Sequence, residues 1–362
     1  MNPRRAAILG SILAGVMVVL AVIALAVGGN RSSSGVQGAS GPGGVSPTGA
    51  ANPPLPSLSG GSGWINSPAL SAADLRGKVV LVDFWDASCI NCRRTFPFLR
   101  TLEATYASRG LVIVGVHSPE FAFEKSTSYV TGEAKDLGVT WPVLNDPDLK
   151  VWDAFDNQYW PAEYLADRNG LERYTHVGEG DDAQVEQAVR TLLNEGGDAG
   201  PATNGADQQP PSPLTEERYL GADRGIDSIA EGVVAPGATV ARHDDTPPMQ
   251  QEIALTGRFT GAAEYLVAQP GAAVTLTFDA ADVYSVLSPD STPVTVEIRL
   301  DGRPVPLADR GADVHALPDG TTVTTVDHDD LYALLMGNAN RTGVLTLIPR
   351  DEPLQLFTFT FG

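Results

Sequence analysis

FWDASCINCRR, residues 84–94, holds both cysteines of a 362-residue chain. They stand three apart, as Cys89 and Cys92. The stretch follows KVVLVDFW (78–85), a continuous apolar run that reads as a buried strand. It leads into apolar residues at helical spacing, Phe96, Leu99, Leu102 and Tyr106, with Gly110 as the stop and Pro97 as an expected kink. The order is therefore strand, short loop, Cys89, helix. A thiol at a helix start faces unpaired N–H groups and the positive end of the dipole, which favour the thiolate, the nucleophilic form. One turn on, Cys92 shares that face. Cys89 is thus read as the attacking thiol and Cys92 as the one that resolves the mixed disulfide. Asp83 is the odd residue of the strand. An apolar neighbourhood resists its ionisation. Placed beneath Cys92, it can take that thiol's proton; the plainer reading is a core acid.

A CxxC pair is also half of a zinc site, but zinc needs further ligands. There is no second pair, and the five histidines are scattered at 117, 176, 243, 315 and 328. A structural disulfide closing so short a loop restrains the unfolded chain little. Redox chemistry is the favoured reading, with the Cys89–Cys92 disulfide as its only cofactor and no metal.

The length suggests two domains, at roughly 100–200 residues each. An apolar share of 43% allows a sizeable core, and a net charge of -20 argues against nucleic acid and anionic lipid as partners. Residues 1–5 carry Arg4 and Arg5, and Ala6 to Val27 carries no charge. As a helix rising about 1.5 Å per residue, 6–27 reaches about 33 Å, enough to span a bilayer. The positive tip places the N-terminus in the cytoplasm and the rest outside, at the cell membrane. The rival is a cleaved signal, with the site at Ala24-Leu25-Ala26 and the chain secreted after Ala26. No cysteine follows the apolar run, which excludes a lipoprotein anchor.

Residues 28–61 are rich in Gly, Ser and Pro and read as a flexible tether; 196–213 read as a linker of the same kind. They set off a domain at 62–195 and another at 214–362. In the first, LVIVGVHS (111–118) is a second buried strand. Helical stretches are expected near 124–137 and 148–155, with an extended WPVLND (141–146) between them. AEYLAD and LERYTHVG form a hairpin around Arg168-Asn169-Gly170, and DDAQVEQAVRTLLNE closes the domain as an amphipathic helix. This is an α/β domain with covering helices. The second lacks long amphipathic helices. Short strands at regular spacing, with a hairpin at Asp301-Gly302, predict an all-β sandwich or jelly roll.

GKVVLVDFWDASCINC resembles the active-site segment of the thioredoxin superfamily. It is similar in particular to membrane-tethered TlpA-type thiol-disulfide reductases and to the external thioredoxin domain of DipZ-type cytochrome c biogenesis proteins. GVHSPEFAFEK and YWPAEYLAD extend the DipZ-type match over residues 62–195, and a β-rich C-terminal domain of that type matches 214–362. The resemblance implies a cis-proline at Pro161, with the backbone of Trp160 holding extended substrate peptide. It also implies that Asp83 is the buried acid of thioredoxins. The chain departs from the pattern at Ser88, at Ile90-Asn91, at Arg93 and at Thr95, positions that tune potential and partner choice. DipZ-type proteins carry a multi-span electron-conducting domain; a chain with one span needs a separate membrane donor of the CcdA kind.

The expectation is an extracytoplasmic oxidoreductase that reduces exported cysteine-containing proteins, apocytochrome c among them. A thiol oxidant is the rival enzyme, since direction depends on the potential. The non-enzyme rival is a binding or adhesion protein working through the β domain, which is expected to resemble a carbohydrate-binding module. Its candidate stacking residues are Tyr219, Tyr265, Tyr284 and Tyr332, because all five Trp precede residue 200. His328 among Asp327, Asp329 and Asp330 suggests either a calcium loop or a solvated acidic one. His117, ending the second strand, is a further candidate for proton transfer, and Glu163, two residues after Pro161, is a candidate that faces either the thiols or solvent.

Overall fold

The computed structural model describes residues 52–197, 200, 202–203, 213–243, 248–249 and 251–362. The expected anchor at 6–27, nearly all of the tether, and most of the linker lie outside them. Among the described residues no helix is long and apolar enough to cross a membrane.

The α/β domain runs β1 (Gly63–Ile65), α1 (Ala72–Leu75), β2 (Val79–Trp85), α2 (Ile90–Tyr106), β3 (Leu111–His117), α3 (Thr127–Asp136), β4 (Val143–Asn145), α4 (Lys150–Ala154), β5 (Ala162–Ala166), β6 (Glu172–Val177) and α5 (Asp182–Glu195). The sheet order is β1-β4-β3-β2-β5-β6. β2 is central, parallel to β3 on one side and antiparallel to β5 on the other. Every residue of β2 is buried, because helices cover both faces. Its pleat sorts the side chains. Val79, Leu81 and Trp85 join the core under α2, α3 and α5, which includes Cys92, Phe96, Leu99 and Leu102. Val80, Val82 and Phe84 join the opposite core with Trp152, Phe155 and Tyr164. Asp83 therefore lies on the Cys92 side. Its β3 neighbour is Gly115, where a Cβ would come within 2.9 Å of Trp85 Nε1 and 3.1 Å of Trp141 Nε1.

The elements expected from periodicity are present, with shorter ends. α2 runs through Pro97 as one element, with that proline facing solvent. Part of the helix expected near 124–137 is a 3-10 turn at Ala122–Lys125, after which Ser126 starts α3. The hairpin turn places Gly170 at φ +80°.

In the β domain all named strands pair antiparallel, and the expected ones are there: Ala273–Ala280, Val283–Pro289, Val294–Leu300, Thr322–Val326, Arg341–Pro349 and Leu354–Phe361. Ile253–Gly261 and Asp330–Leu335 were not legible as strands. Leu300 pairs with Arg303 across Asp301 and Gly302, both at positive φ, as a two-residue hairpin demands. In place of two separate sheets, hydrogen bonds link the strands into one continuous sheet. It folds over, so that Leu276, Ile298 and Leu347 share one core with Leu287, Leu334 and Phe359.

The two domains meet at the redox motif. Ile90 and Phe121 bury against Tyr284, Val286, Leu331 and Phe357. The Phe357 ring sits edge-on to Phe121 at 5.0 Å and to Phe123 at 5.2 Å. Arg93 pairs with Asp330 at 2.5 Å, Arg224 with Glu120 at 2.7 Å, and Arg94 with Asp282 at 3.7 Å. Truncating a buried phenylalanine costs about 3–5 kcal/mol. Phe357→Ala should therefore uncouple the domains. All tryptophans sit in the α/β part, so their fluorescence reports that domain and far-UV circular dichroism reports both. In urea the two probes should coincide for the native chain and separate for the variant. Coincident, unshifted curves would show that this cluster does not join the domains.

Candidate active site

Cys89 is the N-cap of α2, extended at φ -78° and ψ 110°, and its Sγ accepts the Cys92 N–H at 3.2 Å. One of the helix's unpaired amides is thus aimed at the first sulfur. Cys89 is half-buried and Cys92 has no exposure; both are free thiols. Burial first, and then the hydrogen bond to Cys89, push the Cys92 thiol well above its ordinary value. The two sulfurs are unequal in the way that attack and resolution require: one is reachable, and the other keeps its proton until a base removes it.

Asp83 lies on the same face as Cys92. It has no exposure, and neither carboxyl oxygen has a hydrogen-bond partner within the protein. Burial alone pushes it up to about 7, and its charge acts on Cys92. Glu163 lies directly across β5 from Asp83, almost fully buried. Burial, then the Asp83 charge, holds it well above the carboxylate range. It faces the interior beside Asp83, and not solvent.

His117 is fully buried, with its ring edge-on to Trp85 at 4.8 Å. Burial pushes it down to about 3. Its 3.5 Å approach to Asp86 is therefore a contact of a neutral imidazole, not an ion pair. Burial thus favours the neutral form of His117, which lies at the end of β3 beside Asp86. The Trp160–Pro161 peptide is cis. Trp160 is held in place by its indole N–H on the Ser118 carbonyl at 2.9 Å and by its ring against Trp152 at 4.2 Å. The Pro161 carbonyl accepts the Gly178 N–H at 2.9 Å.

Three features escaped the sequence reading. Asp86, three residues before Cys89, and Glu124 are both buried at the Cys89 loop. Arg93 donates from Nε to the Ala87 carbonyl at 2.6 Å while it binds Asp330, so the β domain is tied to the loop that carries the thiol. Ile90, inside the motif, is buried beneath that domain. The acids were visible only as letters in FWDASC and FAFEK; nothing in their spacing shows that they meet.

The sugar-stacking candidates are otherwise engaged. Tyr219, Tyr265 and Tyr284 pack in the interdomain cluster and Tyr332 in the β core, which removes them as an open platform. In the acidic loop Asp327 binds His328 at 2.6 Å, Asp329 binds Ser288, and Asp330 binds Arg93. Among the described residues no group of three acidic, His or Cys side chains could hold a metal ion.

Comparison with known proteins agrees with the site. The Redoxin family model matches residues 65–192, and the model described as a thioredoxin-like C-terminal domain matches 215–362. Protein DipZ of Mycobacterium tuberculosis is 36% identical over 323 residues, 85% of this chain and 42% of DipZ. The thiol-disulfide oxidoreductase YkuV of Bacillus subtilis is 29% identical over 142 residues, 39% of this chain and 95% of YkuV. Among solved structures, a thioredoxin-like protein in its oxidised form is 30% identical, with a TM-score of 0.37, over 40% of this chain and 97% of that one. The chain spans less than half the length of the DipZ relatives it matches.

The sign of the Asp83 effect on stability follows from its raised value. The folded chain keeps a proton that the unfolded chain loses near 4, so stability falls as pH rises from about 4 to about 7. Asp83→Asn removes that penalty, which is at most about 4 kcal/mol for a shift of about three pH units. Chemical denaturation should find the variant more stable than the native chain at pH 8 and nearly equal at pH 4. An equal difference at both pH values would mean that Asp83 does not titrate in this window.

Proposed function

We propose that this chain, a thioredoxin-like thiol-disulfide oxidoreductase, is held at the outer face of the cell membrane by residues 6–27 and reduces disulfides of exported proteins, apocytochrome c among them. The observation that carries the direction is the charge around Cys89. Strong oxidants of this kind stabilise their reduced form. Here the buried acids Asp86 and Glu124 sit against the loop, and a charge on Cys89 opposes ionisation of Asp86. Cys92 is held well above its ordinary value as well. Neither thiolate gains a cation: Arg93 and Arg94 are paired with acids. A dithiol so little stabilised gives up its electrons readily, which supports the reductase.

The reaction has two displacements. The Cys89 thiolate attacks one sulfur of the client disulfide. An S–S bond to the client forms, and the other client sulfur leaves as a thiolate, which takes a proton. Asp83 then accepts the Cys92 proton. The Cys92 sulfur attacks Cys89 and expels the second client thiolate. The client has gained two electrons, and Cys89 and Cys92 end as a disulfide. The surface at the half-buried Trp160, beside the buried Pro161, is the proposed seat of the client peptide. A separate membrane donor of the CcdA kind returns the two electrons.

Cys92→Ser should trap mixed disulfides with clients in membrane fractions, seen on non-reducing gels, and Cys89→Ser should trap none; the reverse pattern overturns the assignment. Equilibration of the pair with a reference thioredoxin should give a potential near thioredoxin's, and a value near that of strong oxidants would reverse the direction. Asp83→Asn should slow resolution of the mixed disulfide by about tenfold or more at pH 7, consistent with the usual worth of a positioned base. Attack by Cys89 should change less. Resolution unchanged across pH would leave Asp83 a core acid only.

A further inference from the structure

We propose that Asp86 and Glu124 act as one acid pair that holds a single proton between them, and that this pair is the positioning element that fixes and poises the attacking thiol of Cys89. The proposal rests on the reading of Cys89 as the attacking thiol.

The pair is built into the loop. Asp86 is 1% exposed and Glu124 not at all, and the two carboxyls meet at Ser88, whose hydroxyl is bound by one and whose N–H by the other. Asp86 Oδ1 accepts the Ala87 N–H at 2.8 Å, Asp86 Oδ2 accepts the Ser88 hydroxyl at 3.1 Å, and the Asp86 carbonyl accepts the Cys89 N–H at 3.4 Å. Glu124 reaches in from the other side. Its Oε1 accepts the Ser88 N–H at 3.2 Å, and its Oε2 accepts the Glu120 and Phe121 N–H groups at 3.0 and 2.9 Å. Every backbone amide from Ala87 to Cys89 thus ends on one of these two residues. The segment that carries Glu124 is anchored in turn on the β domain, through Phe121 on Phe357 and Glu120 on Arg224.

Two carboxylates this close and this dry cannot both ionise at little cost. Glu124 suits the charged role, because three amides point at it. Asp86 suits the protonated one. Burial pushes Glu124 up to about 7, and burial together with the Glu124 charge holds Asp86 well above the carboxylate range. Among the described residues, the cations nearest the pair are bound to other acids. His117 of β3 is neutral, Glu120 is bound to Arg224, and the buried Tyr129 hydroxyl of α3 is held well above its usual range by burial and then by Glu124. Arg93 is occupied by Asp330 and Glu133. One negative charge therefore lies under Cys89 near neutrality. A second appears when Asp86 ionises, and none remains when Glu124 takes a proton. A charge on Cys89 opposes the ionisation of Asp86, so the pair and the thiol are linked.

Alkylation by iodoacetamide, which is neutral, reads Cys89 alone in a Cys92→Ser background and does not depend on any client or on redox turnover. Asp86→Asn keeps the charge on Glu124 and offers it an N–H, so the rate at pH 6.5–8 should rise no more than about twofold. Asp86→Asn with Glu124→Gln removes the charge and should raise it about tenfold, with a changed pH profile. In the two-cysteine chain the same double substitution should shift the equilibrium with glutathione toward the dithiol at pH 8. If both variants react at the native rate, or both are slowed equally at every pH, the pair is at most structural and the proposal is wrong. Should the double variant fail to fold, carbon-13 titration of the native dithiol decides: one protonated and one ionised carboxyl at pH 7.5 supports the shared proton, and two carboxylates overturn it. Loss of client trapping by Cys92→Ser with these results intact would sink the functional reading and leave the acid pair standing.

Discussion

Everything at the redox centre depends on the packing of α2 against the central strand β2. Trp85 and Phe96 meet edge to face at 5.3 Å, and Leu81, Leu99 and Leu102 close around them. That contact fixes the helix start over the strand end. It leaves Cys89 reachable at the rim, sinks Cys92 behind it, and puts Asp83 on the buried side of the same strand. Because the strand alternates faces, Asp83 shares a face with Leu81 and Trp85 and so with Cys92. A one-residue slip in β2 would turn Asp83 to the opposite core, against Trp152, Phe155 and Tyr164, and away from Cys92.

Dryness then does the chemical work. A carboxyl in water is ionised at neutrality and is a poor proton acceptor. With no partner and no exposure, Asp83 is held near neutrality, where it can both take and release a proton. Glu163, facing it across the β2–β5 pair, is held up in turn by burial and by the Asp83 charge. The same logic repeats on the Cys89 side with Asp86 and Glu124, but there the carboxyls are tied to backbone amides. The carboxyl of Asp83 has no hydrogen-bond partner within the protein, whereas those of Asp86 and Glu124 are built into the loop.

Much of this was legible in the chain, for definite reasons. A buried strand is written as a continuous apolar run, a helix by its period, and the hairpins at Gly170 and Asp301-Gly302 by residues that tolerate positive φ. Cys89, Cys92 and Asp83 were readable because strand, loop and helix follow one another within a few residues, so local geometry suffices. Glu124 lies 35 residues beyond Cys89, and Phe357 further still; their approach is a tertiary event with no local period. Ile253–Gly261 was missed because Gly257, at φ +111°, and Arg258 break its apolar run. His117 shows the same limit: the chain places it at a strand end, and only its pairing opposite Trp85 shows that it is completely buried.

The β domain enters the chemistry by what it removes. Two arginines follow Cys92 at once, and a cation there would favour a thiolate. Arg93 instead spans from the Ala87 carbonyl to Asp330, and Arg94 turns to Glu179, Asp282 and the Tyr284 ring. Asp330, Asp282 and Tyr284 all belong to the second domain. Its docking also covers Ile90, so one of the two residues between the thiols is part of a hydrophobic seam. The second domain thus draws positive charge away from the sulfurs and stiffens the motif in the same contact. The Cys89 loop is then left facing chiefly its own buried acids, and the redox properties of the pair belong to the two-domain unit and not to the α/β domain alone.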